Sequence, residues 1–413
     1  MVTAVTVFIE LLLLLFLARG FGEVAERLGQ PASVGEIGAG IVLATAALAF
    51  GAQIPFLAQL AHSEVLYYVA NAGIFFLVLV AGIELEPREL TERQAGSLAV
   101  AAGGVVLPLA GGFALAWIFL PDSGQKLVLC LLVGVAVSIS SIAATVKIFE
   151  EFGVLHTWFG RMVVSASIID DVIGLVLLAV VLAMIRTGTV PGILDFAWLL
   201  ARVGVFFAVT VALGAHVYPH VSRRLRTMKA TSFEFSVLCG VGLGYGLLAE
   251  ALGLHWILGA FMAGLYFERS RVGPLAYNEM RLVFGVVASG FLGPLFFASI
   301  GLRVELAAIT QAPLFLALLI AVALLGKLIG AGLPAFLLSR DRRGALAVGA
   351  GMSARGAVEL VVLSIAAEAG LFERADHEDP VTASLFSALI LMGVVTTLLT
   401  PVLLRRILPR TPP

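Results

Sequence analysis

From end to end the chain repeats one pattern: apolar runs of about 20 residues, separated by short clusters of charge, proline and glycine. A helix of that length crosses a hydrocarbon core of about 30 Å. Splitting the runs at those clusters predicts thirteen helices, over residues 4–28, 34–50, 65–83, 95–120, 126–149, 157–186, 195–217, 232–252, 255–267, 280–301, 311–338, 343–369 and 382–407. The ninth is short and reads either as a span or as half of a longer or re-entrant element. The first run carries Glu10, has no basic leader and no small-x-small cleavage site, so it is read as a membrane helix and not as a signal peptide.

The positions of lysine and arginine orient the helices. With the N-terminus outside, Lys126, Arg186, Arg303 and Arg374 fall on the outer face, and Arg202, Lys327 and Arg355 fall within helices. The other 19 of the 26 basic residues fall on the cytoplasmic face, a bias that fixes an N-out, C-in topology. Thirteen crossings suit two inverted six-helix repeats joined by a linker helix: repeat one over about 1–186, the linker over about 195–217 and repeat two over about 232–407.

Composition narrows the class further. The chain has 413 residues, of which 60% are hydrophobic and only 13% charged, with a mean hydropathy of +1.07. A soluble chain carries about 25% charged residues. The expectation is a single all-α, multi-pass domain in the inner membrane of a bacterial cell, with the lipid bilayer as its surroundings, no soluble regulatory domain, no nucleic-acid partner and no cofactor. Cys130 and Cys239 both lie in apolar runs and are read as packing residues.

Charge inside these runs is where chemistry is expected, because each buried charge costs about 2.5–3.5 kcal/mol on insertion scales. Between Met162 and Ile185 the only ionisable residues are Asp170 and Asp171. Adjacent helical residues point about 100° apart, so the two carboxylates face different surroundings. Lys327 is the sole charge between Glu305 and Arg340, mid-helix by the predicted bounds, and needs a counter-charge. Two acids and one amine make a cluster that can exchange protons against a cation. Arg355 and Glu359, four residues apart in GMSARGAVELVV, are expected to pair along one helix face as supporting residues. Glu10 and Glu36 are further deep acids, whereas Glu84 and Glu250 stand near helix ends.

Several stretches together resemble the second cation:proton antiporter family, which includes NapA- and GerN-type sodium antiporters and Kef-type potassium/proton systems. They are LGQPASVGEIGAGIVL (28–43), GIFFLVLVAGIELEPREL (73–90), SISSIAATVKIFEEFG (138–153), SASIIDDVIGLVLLAVV (165–181), LAEALGLHWILGAFMAGL (248–265), GPLFFASIGLRVEL (293–306) and GMSARGAVELVV (351–362). The resemblance implies thirteen helices in two inverted repeats, a dimerising domain and a core domain, a homodimer, and two core helices that unwind and cross near Ser138–Thr145 and Ser353–Glu359. It implies that Asp171 holds the exchanged cation or proton, that Asp170 pairs with Lys327, and that Ser140 and Ser141 supply hydroxyls to the cation. The Asp-Asp doublet matches the electrogenic sodium-type branch, where Kef-type members have Gln-Asp. The family's Arg-Gly-Glu reads Arg355-Gly356-Ala357 here, with the acid displaced to Glu359.

The function so implied is electrogenic exchange of Na+ or Li+, with K+ also open, for protons by elevator-type alternating access. A Kef-like K+/H+ exchanger or a passive cation channel lacking its regulatory domain is the alternative. An intramembrane aspartyl protease would need its two aspartates on different helices, and this chain has them side by side. A potassium-channel filter of the TVGYG kind is absent from the sequence.

Overall fold

The computed structural model describes residues 4–50, 56, 60, 63–84, 94–187, 193–216, 233–372 and 379–408, and every regular element among them is helical. In chain order these are α1 (Ala4–Arg27), α2 (Ala32–Phe50), α3 (Glu64–Glu84), α4 (Gln94–Phe119), α5 (Lys126–Ser138), α6 (Ile142–Glu151), α7 (Trp158–Thr187), α8 (Ile193–His216), α9 (Phe233–Ala251) and α10 (Ile257–Leu265). A single turn, α11 (Arg269–Val272), leads into α12 (Pro274–Val287), a π-turn at Ala288–Leu292 and α13 (Gly293–Leu302). Then come α14 (Ala307–Gln311), α15 (Pro313–Gly330), α16 (Gly332–Ser339), α17 (Arg342–Gly351), α18 (Ala357–Glu368) and α19 (Pro380–Ile407). Nine spans among the described residues are long and apolar enough to cross a membrane.

Four predicted helices are interrupted, each for a local reason. Residues 280–301 contain the π-turn because Pro294 has no N–H for the Gly290 carbonyl, and one wider turn absorbs the mismatch. The 311–338 helix is jointed at Ala331, one turn before Pro334, which leaves the Gly330 carbonyl without its helical partner. Lys327 therefore stands in the last turn of α15, where the sequence bounds had put it more than ten residues from any end. The predicted 126–149 and 343–369 helices are broken outright, at 139–141 and 352–356.

Two compact units divide the chain. The larger comprises residues 1–63, 92–181 and 297–413, and the smaller comprises 64–91 and 182–296. Within the larger unit a core of small and aromatic side chains, among them Val100, Ala101, Ala144, Ile148, Phe149, Val163, Ala166, Ala331, Ala347 and Met352, packs α4, α6, α7, α16 and α17 together. Two glycines set how closely α4 and α15 approach: a Cβ on Gly103 would stand 2.1 Å from the Gly330 carbonyl oxygen, and one on Gly330 would stand 2.3 Å from that of Gly103. Close backbone approach through small residues is the membrane-helix substitute for hydrophobic pressure. It seats Lys327, one turn before Gly330, against the interior.

Asp341 and Asp379 start α17 and α19. Asp341 Oδ1 accepts the Arg343 N–H at 3.0 Å, and Asp379 Oδ2 accepts both the Thr382 N–H and its hydroxyl at 2.8 Å. Pro380 at the first position of α19 loses nothing there, since that N–H has no helical acceptor.

A charged pair where two helix breaks meet

The first break follows from SISS at 138–141. Serine hydroxyls compete for helix carbonyls, and Ser138 Oγ donates to the Val135 carbonyl at 2.8 Å. Ile139 turns extended (φ −69°, ψ 139°), and the helix resumes at Ile142 with Ser141 Oγ accepting the Ala144 N–H at 3.3 Å. In the second break Ser353 Oγ donates back to the Gly349 carbonyl at 3.0 Å, and α18 begins after Gly356.

The breaks satisfy each other across more than 200 residues of sequence. Ser140 Oγ donates to the Met352 carbonyl at 2.8 Å, Thr145 Oγ1 to the Gly351 carbonyl at 2.8 Å, and the Ser141 N–H to the Ala354 carbonyl at 2.9 Å. The Arg355 N–H goes to Thr397 Oγ1 of α19 at 2.9 Å. Non-helical backbone is tolerated at membrane depth only where protein or a cavity covers it, and these bonds provide that cover.

Charge of each sign meets the backbone end that suits it. The freed Ser140 N–H donates to Asp170 Oδ2 at 2.8 Å. Lys327 Nζ stands 3.1 Å from the same oxygen and 3.4 Å from Oδ1, with Lys327 0% and Asp170 1% exposed. The Arg355 guanidinium caps the other side, donating through Nη1 to the Ala136 carbonyl at 3.3 Å and to that of Ile139, and through Nη2 to that of Val137. A cation at a helix C-terminus and an anion at freed N–H groups are the arrangements that the helix dipole favours.

The pairing of Arg355 with Glu359 expected from their spacing is present only as a long contact through Nε. The i, i+4 rule presumes a continuous helix, but Arg355 lies before the first residue of α18, and its two Nη atoms are engaged by carbonyls of α5 and the first break. Only Nε faces Glu359, at 4.0 Å from Oε2. All of these groups belong to the larger unit.

Of the residues singled out in the sequence, Asp170, Lys327, Ser140, Ser141, Arg355 and Glu359 are buried around the two breaks. Asp171 follows Asp170 in the helical backbone of α7, and its side chain lies outside the described residues. Ser141 is engaged as the cap of α6. Glu10 accepts the Ser63 hydroxyl at 2.7 Å, and Glu36 lies 3.4 Å from Arg19 Nη1. Glu250 Oε1 accepts the Trp256 N–H at 3.2 Å, and Glu84 lies 3.7 Å from Arg281. Among the described residues no three His, Cys, Asp or Glu side chains cluster as a metal site.

Thr145, Thr397 and Ser167 were not singled out from the sequence. The first two hold the breaks, and a hydroxyl in an apolar helix is a weak signal. Ser167 is fully buried with no hydrogen-bond partner for its hydroxyl among the described residues. It stands on α7, four residues before Asp171 in the sequence.

The family described as "Sodium/hydrogen exchanger, transmembrane" matches residues 11–409. The Na(+)/H(+)-K(+) antiporter GerN of Bacillus cereus is 27% identical over 398 residues, covering 96% of this chain and 95% of GerN. The high-affinity Na(+)/H(+) antiporter NhaS3 of Synechocystis is 27% identical over 438 residues, covering 97% of this chain and 89% of NhaS3. Among solved structures, the sodium proton antiporter MjNhaP1 of Methanocaldococcus jannaschii shares the fold, with a TM-score of 0.73 at 17% identity over 96% of both chains. This multi-pass membrane protein belongs to the transmembrane sodium/hydrogen exchanger family, a family of cation:proton antiporters.

Proposed function

We propose that the protein exchanges Na+ or Li+ for protons across the inner membrane of a bacterial cell, electrogenically and by elevator-type alternating access. The observation that carries this reading is the fully buried Lys327–Asp170 pair at the meeting of two helix breaks. Asp170 already has Lys327 and the Ser140 N–H as partners, so we assign the exchangeable site to its neighbour Asp171, with the Ser167 hydroxyl, four residues earlier in α7, as a ligand. Ser140 and Ser141 line the same break. The cation and the protons compete, because one site of negative charge stabilises either but not both.

The desolvation cost of a bare charge gives the cycle its coupling. A cluster neutralised by cation or proton can cross between the two faces, and an empty one cannot. Electrogenicity is supported by Lys327, an additional titratable group inside the site. Nine long spans, the two broken helices, α8 and α10 support thirteen crossings arranged N-out, C-in as two inverted repeats. We propose a homodimer as the assembly.

K+ as cargo is the second reading, favoured by the name of GerN, which specifies Na+/H+–K+ antiport. Dissipation of a ΔpH by purified protein in proteoliposomes, cation by cation and with the membrane potential clamped or free, tests both. Na+- or Li+-driven proton movement that accelerates with a favourable potential is expected. Unitary currents without ΔpH-driven exchange would replace the antiporter reading with a channel.

A further inference from the structure

Three buried polar atoms lie together without a hydrogen-bond partner among the described residues: Arg355 Nε and both carboxylate oxygens of Glu359. Nε and Oε2 are 4.0 Å apart, and Glu359 is 1% exposed. The exchange cycle proposed above makes no use of this carboxylate. Space for it comes from α19, where a Cβ on Gly393 would stand 3.2 Å from each of its oxygens. The hydroxyls of Thr396 and Thr397, one turn further along α19, both donate to the Gly393 carbonyl, at 3.1 and 2.8 Å.

Arg355 Nε faces Glu359 at 4.0 Å, and the positive charge of Lys327 also acts on it. Among the described residues α5 and α19, which pack against α18, add none nearby: α19 has no titratable side chain before Arg405, and α5 none but Cys130 after Lys126. A buried carboxylate with neither oxygen hydrogen-bonded is unstable as an isolated ion. Two local changes relieve it: a proton on Glu359, or closer approach by the guanidinium of Arg355. The second change draws Arg355 away from the carbonyls of Ala136, Val137 and Ile139, which end α5 immediately before the Ser140 N–H that holds Asp170.

We propose that Glu359 is a second proton-binding carboxylate of the exchange cycle, a positioning residue that acts through Arg355 on the first helix break. The proposal rests on the antiport reading. A proton from the aqueous side forms an O–H on Glu359, leaves Arg355 on the α5 carbonyls and lowers the affinity of the site for a cation. Loss of that proton to water restores the negative charge, draws the guanidinium toward Glu359 and raises that affinity. Linkage requires the reverse as well: a bound cation promotes proton loss from Glu359 by the same factor.

The test is the apparent KM for Na+ against pH, in proteoliposomes, for the wild type, Glu359→Gln, Glu359→Asp and Gly393→Ala. Glutamine fixes the neutral form, so Glu359→Gln is expected to match the wild type at the acid end and to weaken apparent affinity about fivefold or more at the alkaline end. Glu359→Asp is expected to restore the alkaline affinity. Gly393→Ala crowds both oxygens and is expected to move the midpoint of the profile while leaving Glu359 in place. Wild-type profiles for both Glu359→Gln and Gly393→Ala would overturn the proposal, and so would a uniform KM change at every pH. Should Glu359→Gln fail to fold, Glu359→Asp and Gly393→Ala decide on the same terms. A wild type with no cation-driven proton movement would overturn the antiport reading itself, which separates the two failures.

Discussion

Replacing Lys327 with methionine removes its charge and keeps most of its stem, so the change isolates the ion pair. Among the described residues Asp170 has two partners, Lys327 Nζ at 3.1 Å and the Ser140 N–H at 2.8 Å, and both side chains of the pair are sealed from solvent. Breaking such a pair leaves an uncompensated carboxylate, and the cost is about 3–5 kcal/mol. One charge-assisted hydrogen bond to Ser140 survives, which puts the expected loss at the lower end, about 3 kcal/mol, or roughly a hundredfold in the folding equilibrium. The double variant Asp170→Asn, Lys327→Met removes both charges, and an Asn carbonyl can still accept the Ser140 N–H. It should lie within about 1 kcal/mol of the wild type, so with about 3 kcal/mol lost by either single change the coupling energy is about 5–6 kcal/mol. Unfolding of the purified protein in mixed detergent micelles, followed by tryptophan fluorescence, supplies all four corners of the cycle. Additive effects, or a Lys327→Met variant as stable as the wild type, would refute the idea that this pair is mutually dependent.

Other consequences are simpler. Gly103→Ala places a methyl 2.1 Å from the Gly330 carbonyl, so α4 and α15 must separate; a loss of about 1–3 kcal/mol in the same unfolding assay is expected. Ser140→Ala removes the hydroxyl bond to Met352 but keeps the N–H bond to Asp170, so stability should fall by about 1 kcal/mol while exchange in proteoliposomes persists. Ser167→Ala should raise the apparent KM for Na+ and leave stability nearly unchanged, since no described group loses a partner. Asp122, outside the spans, accepts a hydrogen bond from Lys126 at 2.8 Å, and that bond and charge hold its carboxyl below the usual range. A depressed value means that whatever the pair adds to the start of α5 is present at neutral pH and is lost as pH falls through that value. Carbon-13 titration of the carboxyl should show the low midpoint, and Lys126→Gln should bring it back up.

The sequence made the charges visible, but not the backbone groups that hold them. Asp170, Asp171 and Lys327 stand out because ionisable side chains in apolar runs are costly, so the contrast is high. The helix positions were legible from the length of those runs. The breaks were foreshadowed by SISS and by Ser353 to Gly356, yet the bonds that close them join Ser140 to Met352 and Arg355 to Ala136, over 200 residues apart. No local periodicity encodes such a pairing. Arg355 shows the limit most clearly: spacing pairs it with Glu359, which stands 4.0 Å from Nε, but nothing local places its two Nη atoms on the carbonyls of Ala136, Val137 and Ile139. The joint at Ala331 was signalled by Pro334, read only as part of an apolar run.

Competition between cation and proton at the aspartate doublet is the central claim, and direct proton release measures it. Purified protein in weakly buffered detergent solution is titrated with Na+ or Li+ while a pH indicator counts the protons set free. The account predicts saturable release by the wild type, opposed by lower starting pH, and no release by Asp171→Asn in protein that retains wild-type thermal stability. Undiminished release from Asp171→Asn would contradict it.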